Sequence, residues 1–262
     1  MRALNSAATG MLAQEQNIEV IANNIANMRT TGYKRQRAEF EDLLYEHVRR
    51  IGTQTSTQGN ILPVGVDLGS GTRLVGTPRI MTQGTLTQTG GELDVAVRGE
   101  GFFKIQLPDG TFAYTRDGSF QMDAQGRIVT AQGNVVQPGI TIPQNSSSLT
   151  INSQGQVSVI VAGATQPTVL GQLTLTRFIN KAGLLPIGDN LFTETPASGT
   201  PQDGLAQTDG MGDIQQGNLE QANVEPVKEI ADLIASQRAY EMNSKVISAT
   251  DQMLQSVIGL YR

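Results

Sequence analysis

An apolar residue recurs at every seventh position near both ends of this 262-residue chain. Near the start the stripe is Leu4, Met11, Ile18 and Ile25. Ala7, Ile21 and Met28 stand on the adjoining line, interrupted by Gln14. Near the end the stripe is Leu233, Tyr240, Ile247 and Leu254, flanked by Ile230, Val246, Met253 and Val257. A seven-residue period sustained over about four heptads is the pattern of helices that bury a seam in a coiled-coil-like arrangement. Pro226 suits the first turn of the second helix, where a missing N–H costs nothing. Isolated helices are marginal in water, so both stripes need cover, from each other or from a core.

Between the ends the period changes. DVAVR (94–98), FFKIQL (102–107), TFAYTR (111–116), SFQM (119–122) and RIVT (127–130) are short apolar runs bounded by Gly or Asp-Gly. Pro108-Asp109-Gly110, Asp117-Gly118 and Ala124-Gln125-Gly126 read as turns, and further strands are expected at 149–152, 156–161 and 172–179. Many short strands at regular spacing point to a mainly antiparallel barrel- or sandwich-like sheet. Gln83–Gln88 (QGTLTQ) echoes Gln216–Gln221 (QGNLEQ), as if the chain enters and leaves the β region side by side. The expected class is therefore α+β. Residues 1–30 and 225–262 form a paired helical domain, 31–75 a short helix and an extended arm or hairpin, and 76–224 a central β-rich domain. The short helix is expected around Phe40, Leu43, Leu44 and Val48, with Glu46 and Arg50 paired across one turn.

Composition removes several functional classes. There are no cysteines, so thiolate chemistry and zinc–cysteine sites are excluded, and the single histidine, His47, leaves almost no room for histidine-based metal or triad chemistry. The net charge of −5 with both signs interspersed gives no nucleic-acid footprint. No apolar run reaches membrane-spanning length, and the first residues hold no signal-peptide core, so neither membrane insertion nor a cleaved signal is expected. The Gly69-Ser70-Gly71 and Gly99-Glu100-Gly101 pairs lack the rest of a phosphate-binding loop and read as turns. Asp117–Asp123 lacks the alternating ligands and closing Glu of a calcium loop. No catalytic, cofactor or metal site is expected.

Two stretches do not fit an ordinary helix or strand. Asn23, Asn24 and Asn27 sit inside the first helix, where Asn is unfavourable. Buried in a helix array, such amides set register, as a single Asn does in a coiled coil. Thr30-Thr31-Gly32 is a stop signal, Tyr33 anchors the exit, and Lys34, Arg35 and Arg37 lead onward. The second stretch, 48–73, is long, polar and Gly-rich. Ile61, Leu62, Val64 and Val66 around the rigid Pro63 suit an extended arm lying on another subunit.

ANNIANMRTTGYKRQRAEF (22–40) resembles the N-terminal signature of the flagellar axial proteins, the rod, hook and hook-associated families. GGELDVAVRGEGFFKI (90–105) with YTRDGSF (114–120) is similar to the central β motif of their rod and hook members. QGNLEQANVEPVKEIADLIASQRAYEMNSKVISATDQML (216–254) is similar to their C-terminal signature. Arg29, where the family has a small polar residue, and Tyr33, where Phe is common, depart from the pattern. The resemblance implies a non-enzymatic subunit of a helical homopolymer, with the end helices inside, the β domain outside and the stripes as assembly faces. Its length and the 41–73 segment are those of a rod member, with another rod protein or a short hook protein as the alternative. It further implies export through the flagellar type III apparatus and torque transmission across peptidoglycan and outer membrane. The implied partners are proximal rod proteins, the hook protein, a rod or hook cap and the surrounding ring proteins.

Overall fold

A computed structural model describes residues 2–50, 64–162 and 166–260. The chain divides into two compact units. One comprises Met1–Ile25, Gln36–Pro78 and Glu225–Arg262, the other Ala26–Arg35 and Arg79–Val224.

The first unit holds two long helices, α1 (Arg2–Ala26) and α2 (Pro226–Leu260), which pack together. Pro226 opens α2 as expected, the Glu229 N–H closes the first turn on the Glu225 carbonyl, and Glu229 places an acid where the helix dipole favours one. Four strands complete the unit: β1 (Glu39–Asp42), β2 (Tyr45–Arg49), β3 (Val66–Gly69) and β4 (Thr72–Gly76). They form two two-stranded antiparallel ladders, β1 with β4 and β2 with β3. The short helix expected around Phe40–Val48 is therefore corrected: Phe40 and Val48 lie in strands β1 and β2, and Leu43 and Leu44 in the connection between them. Spacing that brings Glu46 and Arg50 together on a helix is equally compatible with extended chain, and the partner strands come from beyond residue 65. Cross-strand pairing with a distant segment outweighs local propensity. Glu46 instead pairs with Arg2 of α1 at 2.5 Å.

The second unit opens with β5 (Leu86–Gln88), β6 (Val95–Arg98), β7 (Phe102–Gln106) and β8 (Phe112–Thr115). The short β9 (Gln121–Met122), β10 (Ile128–Val129) and β11 (Val135–Val136) follow. Next come β12 (Ser146–Ile151), β13 (Gln156–Val161), β14 (Thr168–Gln172) and β15 (Thr174–Arg177). The last are β16 (Leu185–Gly188), β17 (Leu191–Thr193), β18 (Gln202–Leu205), β19 (Asp213–Gln216) and β20 (Asn218–Glu220). Nine of these form one sheet in the order β16-β17-β8-β7-β11-β10-β9, with β15 paired to β7 and to β18. β12, β13 and β14 form a three-stranded sheet, and β6 pairs with β19. Every ladder among the described residues is antiparallel.

Local chemistry explains the turns. Between β7 and β8 the Asp109 carboxylate accepts from both the N–H and the hydroxyl of Thr111, and Gly110 takes φ +84°, open to a residue without Cβ. Successive side chains of β7 point to opposite faces. Phe103 and Ile105 enter the main core with Val97, Leu175 and Ile214. Phe102 enters a second cluster with Tyr114, Phe178 and Phe192, whose rings meet edge to face. The echoed hexapeptides lie side by side: β20 pairs with β5, Leu219 opposite Thr87.

Candidate functional site

The helix pair is built on small and polar residues. A methyl group at Gly10 would lie 2.9 Å from Asn243 Nδ2, so glycine here leaves the Asn243 amide its place against α1. Asn17 Nδ2 donates to Ser236 Oγ at 2.8 Å. Asn24 Nδ2 donates to Glu229 Oε2 at 3.2 Å and to the Gln36 carbonyl at 2.9 Å, while its Oδ1 accepts from the Gln36 N–H. Asn24 is 1% exposed and Glu229 0%. Ala7, Ala13 and Ile21 are buried on α1, and Ser236 on α2.

The expected stripes run beside this line. Leu4, Met11, Ile18 and Ile25 are half-buried, as are Leu233 and Ile247, whereas Tyr240 and Leu254 are exposed. Of the three asparagines, Asn24 is brought into the helix pair. Asn23 is exposed, and the Asn27 carboxamide oxygen accepts from the Thr30 hydroxyl at 3.1 Å, in the turn that ends α1.

The stretch after α1 is held by a buried ion cluster of the β unit. The Gly32 N–H donates to the Glu220 carbonyl at 2.8 Å, and Gly32, with φ +70°, has no room for a side chain against Asp117 N. Tyr33 is buried with Ala222 and Val224, and the Arg79 guanidinium lies 5.8 Å from its ring centre. Lys34 Nζ donates to Glu220 Oε1 at 2.5 Å and to the Thr82 carbonyl at 2.9 Å. Glu220 Oε1 also accepts from the Gly84 N–H. Glu220 Oε2 accepts no hydrogen bond among the described residues and faces Arg116 at 3.8 Å. Arg116 donates to the carbonyls of Val97 and Gly99. Burial pushes the Lys34 ammonium below its ordinary value, against the opposing pull of Glu220, and burial likewise lowers Arg116.

Sequence reasoning took Lys34 as part of a leading basic cluster and did not single out Glu220, Arg116 or Glu229. A charge beside an apolar neighbour looks alike in sequence whether solvated or buried. The one available signal was the QGTLTQ/QGNLEQ echo, which places Glu220 beside the strand that follows Gly84.

The arm residues Val64 and Val66 are exposed, Val66 in β3; Ile61, Leu62 and Pro63 lie outside the described residues. His47 and Asp67, directly opposite each other on β2 and β3, meet at 2.6 Å. Among the described residues no group of three or more His, Cys, Asp or Glu side chains is placed to hold a metal ion, and no helix is long and apolar enough to cross a membrane.

Comparison with known proteins bears on what this arrangement assembles. The family described as "Flagella basal body rod protein" matches residues 4–34, which contain α1 and its exit. "Flagellar hook protein FlgE/F/G D1 domain" matches residues 96–159, and "Flagellar basal body rod FlgEFG protein C-terminal" matches residues 215–260. The flagellar basal-body rod protein FlgG of Caulobacter vibrioides is 53% identical over 260 residues, covering 99% of each chain. That of Agrobacterium fabrum is 51% identical over 257 residues, covering 98% of each. The FlgG of Bacillus subtilis is 36% identical over 268 residues and covers both chains entirely. This chain belongs to the flagellar rod and hook family, within its FlgG group of basal-body rod proteins.

Proposed function

We propose that this chain is a structural subunit of the distal flagellar rod that polymerises through its end helices into a rigid tube. The tube acts as drive shaft between motor and hook and as a channel for exported subunits. The observation that carries this reading is the missing core of the helical unit. Among the described residues, its only buried hydrophobic side chains are Ala7, Ala13 and Ile21; all the others belong to the β unit. Large apolar residues of α2 face outward instead. Val227 and Ile234 lie on the side turned roughly opposite the α1 seam, and Ile230 about a quarter turn from it, counting about 100° per residue. Met242, Val246 and Met253 lie about a quarter turn to one side of that seam. Val227 is 84% exposed, and Met242 and Met253 are each 61% exposed. A helix apolar on several sides belongs in an interior, and neighbouring copies supply one.

The division expected from the sequence carries into this reading. Residues 1–30 and 225–262 drive polymerisation, Val64 and Val66 of the expected arm meet neighbouring copies, and 76–224 form the outer β domain. Two different patches on one helix suit a heterologous contact that repeats without closing, as a filament requires. Proximal rod proteins, the hook protein, the cap, the ring proteins and the type III export apparatus follow as partners from rod membership. The same membership, with no nucleophile–base set in the sequence, supports a non-enzymatic role in the periplasm-spanning rod. The test is sedimentation and electron microscopy of the purified full chain. Straight tubes are expected from it and none from Ile234→Asp. A chain that stays monomeric at high concentration, or Ile234→Asp tubes like those of the unaltered chain, overturns the reading.

A further inference from the structure

Strict heptad stripes leave one ambiguity. Two antiparallel helices whose apolar residues repeat every seven positions can slip by seven and match again. The contacts between α1 and α2 remove that freedom. They come in three rungs: Gly10 against Asn243, Asn17 bonded to Ser236, and Asn24 bonded to Glu229. Each step of seven along α1 is matched by a step of seven back along α2, so all three rungs belong to one register.

The rungs are not interchangeable. A slip that sets Asn24 level with Ser236 carries Glu229 past the end of α1 at Ala26. The opposite slip sets Asn17 level with Glu229 and leaves Asn24 level with Ala222, before α2 begins at Pro226. Either slip separates Asn24 from Glu229, two polar groups that are 1% and 0% exposed. Each slip therefore loses the hydrogen bond to the buried Glu229 carboxylate, whereas the apolar stripes re-match.

We infer that Gly10, Asn17, Asn24, Glu229, Ser236 and Asn243 form a register lock that fixes the axial position of α2 against α1. The lock sets how far α2 runs past its partner. Arg2, where α1 begins, stands level with Asp251, so residues 252–260 of α2 project beyond it, with Leu254 and Ile258 exposed. A slip by seven moves this overhang by about 10 Å. The lock thus specifies a subunit of one length, which a regular polymer needs. The inference extends the polymer reading and is tested apart from it.

The test exploits a chain without cysteines. Ala13→Cys with Tyr240→Cys reports the native register; Ala13→Cys with Leu233→Cys, and with Ile247→Cys, report the two slips. A disulfide spans Cα separations up to about 7 Å, less than the slip. Intrachain disulfides are read on non-reducing gels, from soluble and sedimented chain alike. A failure to polymerise is then seen separately, as absence of sedimenting protein.

With the lock intact, the native pair should close with a preference of roughly tenfold or more over either slipped pair. Adding Asn17→Leu, Asn24→Leu, Glu229→Leu and Ser236→Leu should bring the slipped pairs to within about threefold of the native one. Asn17→Ala with Ser236→Ala removes one rung, leaves Asn24 and its Gln36 bonds untouched, and should raise the slipped pairs while helical circular dichroism is unchanged. Exclusive closure of the native pair in both altered chains overturns the inference, as does equal closure of all three pairs with the lock intact.

Discussion

Glu220 shows how much one side chain can hold. It sits between two cations, bonded to Lys34 and 3.8 Å from Arg116, with its carboxylate fully buried. Its backbone carbonyl takes the Gly32 N–H and one carboxylate oxygen takes that of Gly84, so it joins three separate chain segments. Removing the central acid strands two buried cations, whereas removing Lys34 leaves Glu220 facing Arg116. Glu220→Leu is therefore expected to destabilise the β unit by about 3–5 kcal/mol. Lys34→Met should cost less, and the double change Lys34→Met with Glu220→Leu less than the sum of the two. Urea unfolding of the four chains checks this. Additive losses, or a larger loss for Lys34→Met, would mean the cluster is not organised around Glu220.

At the scale of elements, the two helices differ in what they leave uncovered. Ile18 is half-buried on the flank of the α1 seam, and Leu254 is exposed on the part of α2 that passes beyond α1. In the polymer proposed above both positions are covered, and a carboxylate there would be buried without a partner. Ile18→Asp or Leu254→Asp should raise the protein concentration needed for sedimentable polymer by roughly tenfold or more, equivalent to about 1.4 kcal/mol per contact. The melting of the β unit should not change. Polymer formed at the unaltered concentration by either variant would remove that stripe from the assembly faces. The paired ladders β1–β4 and β2–β3 belong to the same unit and expose Phe40, Tyr45, Val66 and Val75, apolar side chains that an isolated two-stranded ribbon cannot cover itself.

At the scale of the whole molecule, the two units hold themselves together differently. The β unit has a main core around Phe103, Ile105 and Leu175 and an aromatic cluster around Phe102 and Tyr114. The helical unit has Ala7, Ala13, Ile21 and a line of polar contacts. A fragment of residues 31–224, which keeps Gly32, Tyr33 and Lys34 with the β unit, should therefore stay folded, monomeric and cooperative in unfolding. Circular dichroism and sedimentation test it. A fragment that aggregates or gives only a random-coil spectrum would show that the β unit depends on the helices.

The sequence by itself determined what repeats and what turns. Heptad stripes announced both helices, Asp-Gly and Pro-Asp-Gly announced the hairpins, and the QGTLTQ/QGNLEQ echo announced that β5 and β20 meet, because periodicity and turn chemistry act over a few residues. The three quoted signatures likewise sufficed to reach the axial family. Only the tertiary structure decided which residues the helices turn inward and where the buried charges go. The seam passes through Ala7, Asn17, Asn24, Glu229 and Ser236 rather than along the most apolar line, because small and polar side chains let the two helices approach and bond. Residues 39–42 and 45–49 became strands because their partners at 66–69 and 72–76 arrive from across the chain. Lys34, Arg116 and Glu220 are far apart in sequence, and nothing local distinguishes a solvated charge from one whose partner folding brings within 2.5 Å.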